Sequence, residues 1–282
     1  MEKNLRDWLR DADEKGYAIP AFNFNDCWDL MAIVQAAERE HAPIMVSSVG
    51  YVVDSLGLEN CAALGHVAMK SAAVPVFLHL DHQPSVDICK QAIDRGFPSV
   101  MIDASSKSLE ENIRAVREVV EYAHPRGVVV EGEIGRIRGK DDEGTYLGDD
   151  FLVQTADAAE LARQSGVDTL AIGIGTQHGF YKGEPHINME RLSEVNEAIS
   201  NPLVLHGGTG IGEDIIREAI SRGINRINVG TVIRYTYMKT LAETIGEQGP
   251  AIPPGKLVQP ALCEIQTVVR TWIRACGANN RA

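Results

Sequence analysis

The stretch VPVFLHLDHQPS, residues 74–85, joins a run of apolar residues to an abruptly polar end. The apolar part is typical of a buried β-strand, yet His79, Asp81 and His82 follow before a proline. A strand that is apolar on both faces belongs to a parallel sheet covered by helices. The three ionisable side chains are therefore expected at the carboxyl edge of such a sheet.

Short apolar runs of this kind recur along the chain of 282 residues, and most are followed by a segment with helical periodicity. Strands are predicted at 17–24, 42–49, 74–81, 98–103, 127–135, 168–175, 201–208 and 225–230. Eight strands with intervening helices favour an α/β fold whose parallel sheet closes into a barrel. No G-x-G-x-x-G opens the first strand–helix unit, which disfavours an open dinucleotide-binding sheet. The sequence predicts one (β/α)8 TIM-barrel domain over residues 1–282.

The composition limits the classes of partner and compartment. A formal net charge of −12 argues against a nucleic-acid partner, because phosphate backbones are bound mainly by clustered Lys and Arg. No apolar run approaches the roughly 20 residues of a membrane span, and the N-terminus does not resemble a signal peptide. The five cysteines are odd in number and lack C-x-x-C spacing, which indicates reduced thiols. A cytoplasmic protein without a membrane partner is expected.

Polar residues stand at the carboxyl ends of all the predicted strands. In a barrel these ends meet on one rim, where the active sites of such folds lie. Three histidines and a glutamate at the ends of four strands form the set that a catalytic divalent ion such as zinc prefers, with a position left for substrate. A single histidine of this kind is more often a hydrogen-bonded structural residue. The combination of His82, His178, His206 and Glu133 favours the metal site.

Glycine-rich segments follow the last two strands, HGGTGIGEDI at 206–215 and NVGT at 228–231. Loops at these positions of a barrel commonly bind phosphate through backbone N–H groups and a helix N-terminus. Tight turns are the alternative interpretation. The polar segment GRIRGKDDEGTYLGDD, 135–150, is either an ordinary solvated loop or a lid that brings a carboxylate over the site.

Six motifs occur in a characteristic order: HLDHQ, MIDAS with EEN, VEGEIG, GIGTQHGFYKG, LVLHGGTGI and INVGT. Together they resemble the class II, metal-dependent fructose-bisphosphate and tagatose-bisphosphate aldolases over nearly the whole chain. The resemblance implies a lyase that reversibly cleaves a ketose 1-phosphate or 1,6-bisphosphate into dihydroxyacetone phosphate and an aldehyde. Its logic is that a metal neutralises the charge of the enediolate formed by proton removal next to a carbonyl.

The resemblance also implies roles for particular residues. His82, His178 and His206 would bind one zinc ion, or another divalent ion, per chain, with Glu133 a nearby or alternative ligand. Asp103 matches a secondary metal position, and Asp81 matches the catalytic acid. The implied substrate-binding residues, where Na⁺ or K⁺ could assist, are Asn23, Ser48, Gly179, Lys182, Gly207, Gly208, Thr209, Asn228, Gly230 and Thr231. His79 is expected to be a hydrogen-bonded residue behind the ligands.

The chain departs from the family pattern at several places. Asp141 is the predicted lid base, with Asp142 and Glu143 as alternatives, where many members carry an acidic pair. Gln83 replaces the glycine that usually follows the metal histidine. Val232 stands where members of the family commonly have an acidic residue. Near the C-terminus, Lys256 stands where many members have an arginine that can meet a second phosphate. A bidentate arginine is the better phosphate clamp, so a ketose 1-phosphate with a different tail is expected rather than fructose 1,6-bisphosphate.

Two other functions remain open on the sequence. One is a metal-dependent barrel hydrolase or isomerase with the same rim, and the other is a non-catalytic sugar-phosphate-binding protein. The family forms homodimers and homotetramers, so a homo-oligomer is expected. The amphipathic segment 262–277 could contribute to an interface or pack on its own barrel.

Overall fold

Eight parallel strands, numbered β1 to β8, close into a barrel in chain order. The structure, a computed structural model, describes residues 3–137 and 151–282. The strands are β1 Ile19–Asn23, β2 Ile44–Val49, β3 Val76–Gln83, β4 Ser99–Ile102, β5 Val129–Ile134, β6 Thr169–Ile172, β7 Leu203–Leu205 and β8 Ile224–Val229. The predicted TIM barrel is confirmed, and every predicted strand window contains or overlaps an observed strand. The single domain over 1–282 stays a prediction.

Helices surround the barrel and alternate with its strands. They are α1 Leu5–Lys15, α2 Cys27–Glu40, α3 Gly50–Leu56, α4 Leu58–Ser71, α5 Val86–Asp94, α6 Leu109–Ala123, α7 Thr155–Ser165, α8 Met189–Ala198, α9 Glu213–Ser221, α10 Thr231–Gln248, α11 Pro254–Leu257 and α12 Gln259–Ala275. The sequence marks several of their starts. At α6, for example, Ser108 and Glu111 form a reciprocal capping box that satisfies backbone N–H groups of the first turn.

The hydrophobic core lies between the strands and the helix layer, while the barrel interior carries polar residues. Helix α1 covers the amino end of the barrel, where the Arg6 Nε donates to Asp168 Oδ1 at 2.9 Å. This packing leaves the opposite, carboxyl end open for a site. None of the helices in 3–137 and 151–282 is long and apolar enough to cross a membrane.

Strand β3 carries a bulge next to the ionisable residues that end it. Its register with β4 shifts between Leu80 and Gln83, so that one extra residue stands on β3. His82 lies in this bulge with φ of 46°, a left-handed conformation that is uncommon for a residue with a Cβ. Regular alternation would direct Asp81 and His82 to opposite faces. The bulge instead lets both side chains line the same cavity.

Candidate active site

A cavity of about 670 Å³ opens at the carboxyl ends of the strands. Residues from widely separated parts of the chain line it because the barrel closes. The lining comprises Asn23, Val49, Tyr51, Asp81, His82, Pro84, Asp103, Ser105, Ser106, Glu133, Arg136, Ile137, His178, Gly179, His206, Gly207, Gly208, Thr209, Asn228, Gly230, Thr231 and Arg234. The polar strand ends predicted from the sequence thus converge on one rim.

Three histidines from different strand ends form a compact group in this cavity. The ring centroid of His82 lies 4.7 Å from that of His178 and 4.5 Å from that of His206. One nitrogen from each ring can be chosen so that the three atoms lie within 4.8 Å of one another. This spacing is compatible with three ligands of a single ion.

Two carboxylates extend the group on the side of β4 and β5. His82 Nδ1 lies 3.0 Å from Asp103 Oδ2 and 3.8 Å from Glu133 Oε2, and these three residues form a second possible metal-binding set. The Ser105 hydroxyl donates to Asp103 Oδ1 at 2.7 Å and its backbone N–H at 3.2 Å. Burial would raise the pKa of Asp103, but the hydrogen bond from His82 prevails and lowers it. Asp103 is therefore an anion beside His82.

A buried ion pair lies beneath the histidines. His206 Nε2 lies 2.7 Å from Glu131 Oε1, and Arg226 donates to the other oxygen of the same carboxylate. Glu131 and Arg226 both have fully buried side chains. Because the carboxylate accepts a hydrogen bond from Nε2, the lone pair of His206 remains on Nδ1. Glu131 thereby sets which nitrogen of His206 can bind an ion.

Asp81 is held by two asparagine amides. Asn23 Nδ2 donates to Asp81 Oδ2 at 3.0 Å, and Asn228 Nδ2 donates to Oδ1 at 3.3 Å. Burial would raise the pKa of Asp81, but the neighbouring charges of His82 and His206 lower it. The residue is thus an oriented carboxylate at the edge of the histidine group.

The electrostatics of the group favour a bound cation. Burial would lower the pKa of His82, but the charge of Asp81 and two further carboxylates raise it to about 10. Burial, and then the charge of Asp103, raise the pKa of Glu133 to about 8. Burial lowers the pKa of His178 to about 3, which keeps that ring neutral. The carboxylates of Asp81, Asp103 and Glu133 therefore favour a positively charged group next to His82.

The donor atoms also fit a metal ion. His82 Nε2 and Glu133 Oε2 are buried and have no hydrogen-bond partner within the described residues. Buried polar atoms are normally paired, so the two unpaired atoms are consistent with ligands of an ion in this cavity. Neutral imidazole nitrogens together with carboxylate oxygens are the donor set of a catalytic zinc or related divalent ion.

The loops after β6, β7 and β8 form a second part of the cavity, rich in glycine. Gly207 has φ of 71°, and a Cβ there would lie 2.3 Å from the Gln177 carbonyl oxygen, so only glycine fits. The Tyr181 hydroxyl donates to the Gly207 carbonyl oxygen at 3.1 Å and braces the two loops. Helix α10 begins at Thr231 with its N-terminus at the cavity. Such loops can bind an anion through backbone N–H groups.

Most of the predicted site residues that the structure describes line the cavity, but two of them do not. The Ser48 side chain is fully buried outside the lining, and Lys182 is exposed on the loop after β6. Asp141 and its alternatives Asp142 and Glu143 fall within 138–150, outside the described residues. His79 is fully buried outside the cavity lining, and its Nδ1 is 2.8 Å from the Ser99 hydroxyl. The roles implied by the resemblance stay predictions.

Other residues at the site have no prediction from the sequence. Tyr51, Arg136 and Arg234 line the cavity, and Arg226 supports Glu131 from below. One signal for Arg226 was available: it precedes Asn228 by two positions in a predicted strand, so both face the barrel interior.

Comparison with known proteins gives consistent relatives. The family model for class II fructose-bisphosphate aldolase matches residues 3–281. A fructose-bisphosphate aldolase of Staphylococcus epidermidis is 38% identical over 282 residues, covering 99% of this chain and 98% of the relative. A probable fructose-bisphosphate aldolase of Bacillus subtilis is also 38% identical, covering 99% of both chains.

Solved structures of aldolases are similar to this chain over nearly its whole length. The crystal structure of the YdjI aldolase from Escherichia coli has a TM-score of 0.87, with 33% identity and all of both chains covered. A putative fructose-1,6-bisphosphate aldolase of Coccidioides immitis has a TM-score of 0.86, with 29% identity, covering 97% of this chain and 96% of the other. With the family model matched from end to end, this chain belongs to the class II fructose-bisphosphate aldolase family.

Proposed function

We propose that the protein catalyses the reversible, zinc-dependent cleavage of a ketose phosphate to dihydroxyacetone phosphate and an aldehyde. The observation that carries the proposal is the juxtaposition of His82, His178 and His206 with the oriented carboxylate of Asp81. Membership of the class II aldolase family supports the reaction type.

His82, His178 and His206 would hold the zinc ion, with Glu133 and Asp103 placed to bind an ion at a neighbouring position. When bound, zinc polarises the substrate carbonyl and offsets the negative charge that develops on its oxygen. Asp103 and Glu131 contribute by fixing the orientation of the histidine rings through the hydrogen bonds to His82 and His206.

Asp81 would move the proton at the carbon–carbon bond. In the cleavage direction it accepts the proton from the hydroxyl on the fourth carbon as the bond between carbons three and four breaks. Asn23 and Asn228 hold both carboxylate oxygens, so the acceptor is oriented before substrate binds. A lid carboxyl, with Asp141 the preferred candidate, would return a proton to carbon three of the three-carbon product.

The glycine-rich loops would bind the phosphate of the dihydroxyacetone phosphate half. Gly179, Gly207, Gly208, Gly230 and Thr231 line that part of the cavity, and Na⁺ or K⁺ is proposed as an auxiliary ion there. Thr209 lines it too, and its hydroxyl accepts from the Val232 N–H at 3.2 Å, which ties the β7 loop to the start of α10.

A homo-oligomer is proposed as the working form. Large apolar side chains are exposed on α2 and α10, among them Trp28, Met31, Tyr235 and Met238. Exposed apolar patches of this kind are typical of protein interfaces.

A cytoplasmic location is also proposed. The five cysteines are all free thiols, which is typical of a reducing compartment.

The test is the release of dihydroxyacetone phosphate from a panel of ketose 1-phosphates and 1,6-bisphosphates by zinc-loaded and chelator-treated protein. Release that needs zinc is expected. The matched variant Asp81→Asn keeps the volume and should bind zinc normally while losing roughly 10²- to 10⁴-fold in turnover. Stoichiometric zinc binding without release from any substrate would contradict the proposal.

A further inference from the structure

The EEN segment of the sequence, residues 110–112, has no part in the proposed chemistry, yet its asparagine reaches the end of β5. Asn112 lies in the first turn of α6 and is 1% exposed. Its Nδ2 donates to the backbone carbonyl oxygen of Glu133 at 2.8 Å. The hydrogen bond therefore joins a helix outside the barrel to the residue that carries one of the candidate metal-binding carboxylates.

The carbonyl group of Glu133 lies beyond the ladder between β4 and β5. Backbone groups alternate along β5 between its two neighbouring strands. The Val129 N–H donates to the Pro98 carbonyl oxygen on the β4 side, so the backbone of Glu133, four residues on, also faces β4. The pairing with β4 ends one residue earlier, at Gly132. A buried carbonyl group without a donor is unfavourable, and Asn112 supplies the donor.

Helix α6 lies close to β5 because Gly132 has no side chain. A Cβ at Gly132 would lie 3.2 Å from Val116 Cγ2, which is tighter than ordinary packing. Val116 follows Asn112 by four residues, so both lie on the same face of α6. The contact at Gly132 and the hydrogen bond to Glu133 thus fix α6 against two consecutive residues of β5.

The side chain of Glu133 is directed into the cavity. Its Oε2 lies 3.8 Å from His82 Nδ1 and is buried without a hydrogen-bond partner in the described part of the chain. Because no hydrogen bond holds this oxygen within 3–137 and 151–282, its position depends on the backbone at the end of β5. The backbone carbonyl at that point is the group that Asn112 binds.

We propose that Asn112 is a positioning residue for the metal site: it fixes the end of β5 so that the Glu133 carboxylate stays within reach of the ion held by the three histidines. This inference rests on the proposed zinc-dependent function. Residues that orient the ligands of a metal commonly change its affinity by roughly 10- to 100-fold when they are replaced. Asn112 acts through the carbonyl group rather than the carboxylate, so a loss near roughly 10-fold is expected.

Zinc affinity is measured by competition with a chromogenic chelator, and the visible spectrum of cobalt-loaded protein reports the ligands of the ion directly. Asn112→Leu keeps a similar volume and removes the donor. It should lower zinc affinity roughly 10-fold and change the visible absorption of the cobalt protein. The melting temperature of the chelator-treated protein should also fall, by about 2–5 °C, because a buried carbonyl group is left unpaired.

Asn201→Leu is the matched structural control. Asn201 Nδ2 donates to the Val167 carbonyl oxygen at 2.6 Å, before the amino ends of β7 and β6 and thus at the end of the barrel opposite the cavity. This variant should lower the melting temperature by a comparable or smaller amount. Zinc affinity and the cobalt spectrum should stay as in the wild type.

A double-variant cycle separates positioning of the carboxylate from a general loosening of the barrel. Glu133→Gln should itself lower zinc affinity. Asn112→Leu added to it should lower the affinity by less than about 2-fold more, because the carboxylate that it positions is already absent. Asn112→Ser keeps a hydroxyl donor on a shorter side chain and should lose roughly 2- to 5-fold, and it takes the same place in the cycle if the leucine variant does not fold.

The outcomes are distinguishable. Wild-type zinc affinity and an unchanged cobalt spectrum in the Asn112 variants overturn the inference and leave the proposed function standing. A loss of affinity that persists in full in the Glu133→Gln background overturns it too, as does wild-type zinc affinity in Glu133→Gln itself. Wild type that does not bind zinc overturns the proposed function and this inference together.

Discussion

The buried ion pair between Glu131 and Arg226 should be essential to both stability and metal binding. Both side chains are fully buried, and the carboxylate also accepts from His206 Nε2 at 2.7 Å. Arg226 donates in addition to Asn228 Oδ1 at 3.1 Å through its Nε. Arg226→Met removes the charge while keeping an unbranched side chain. The buried Glu131 is then left without its strongest partner.

The magnitude follows from this burial. Removing one partner of a fully buried pair costs about 3–5 kcal/mol, because the other charge remains desolvated. An unfolding entropy of roughly 2.1 cal/mol/K per residue gives about 0.6 kcal/mol/K for 282 residues, so the melting temperature should fall by roughly 5–8 °C. Burial would raise the pKa of Glu131, and Arg226 is the largest influence that lowers it. Without Arg226 the carboxyl group gains a proton more readily and holds His206 less firmly, so zinc affinity should fall roughly 10- to 100-fold.

Urea and thermal unfolding of chelator-treated protein measure the stability term without metal linkage. Competition with a chromogenic chelator measures zinc affinity. Arg217→Met is the matched control, because Arg217 and Glu213 form a half-exposed pair on α9 and should contribute less than about 1 kcal/mol. Glu131→Gln combined with Arg226→Met removes both charges and should recover much of the loss. A cost below about 1 kcal/mol for Arg226→Met, or no recovery in the double variant, would refute the reasoning.

Three further predictions concern other parts of the molecule. Burial would raise the pKa of Asp11, but hydrogen bonds from Lys15, Lys3 and Tyr17 lower it from its ordinary value of 3.8 to about 2. The resulting stabilisation, about 2 kcal/mol, is present above pH 4 and is lost as the pH falls through 2, so the deficit of Asp11→Asn in urea unfolding should vanish across this window. Gly207→Ala places a Cβ 2.3 Å from the Gln177 carbonyl oxygen at a φ of 71°. It should cost about 1–3 kcal/mol in unfolding and weaken inhibition by dihydroxyacetone phosphate. Light scattering after gel filtration should give two or four times the chain mass of 30.7 kDa, and a monomer at micromolar concentration would contradict the proposed oligomer.

The fold was predictable because a buried parallel strand shows its burial on both faces. Several predicted windows extend beyond the observed strand, because buried residues continue past its last residue. Strand β6, for example, ends at Ile172, while Ile174 in the following turn is still fully buried. The apolar pattern of the sequence indicates which residues are buried. Where a strand ends depends on its hydrogen bonds to the neighbouring strand, and the pattern carries no information on that pairing.

The polar rim was predictable from one rule, that the strands of a barrel end together. The buried residues that hold the rim in place could not be predicted in the same way. Arg226 pairs with a glutamate 95 residues away, and a lone arginine within an apolar strand does not reveal its partner. Arg234 lies on helix α10, whose sequence lacks a clear apolar face and therefore does not indicate which way the side chain points. Its contact with Tyr51 depends on how the loops after β1, β2 and β8 meet. Such contacts between distant segments require the closed barrel.

The bulge in β3 explains why two adjacent residues can serve one site. With strict alternation along a strand, a carboxylate at position 81 facing the interior would send the neighbouring imidazole into the helix layer. The extra residue and the left-handed backbone at His82, with φ of 46°, turn the imidazole back toward His178 and His206. The backbone N–H of His82 donates to the Met101 sulfur at 3.4 Å instead of to a carbonyl oxygen of the neighbouring strand. The local irregularity therefore brings the proposed base, Asp81, and the proposed metal ligand, His82, to one cavity from a single short segment.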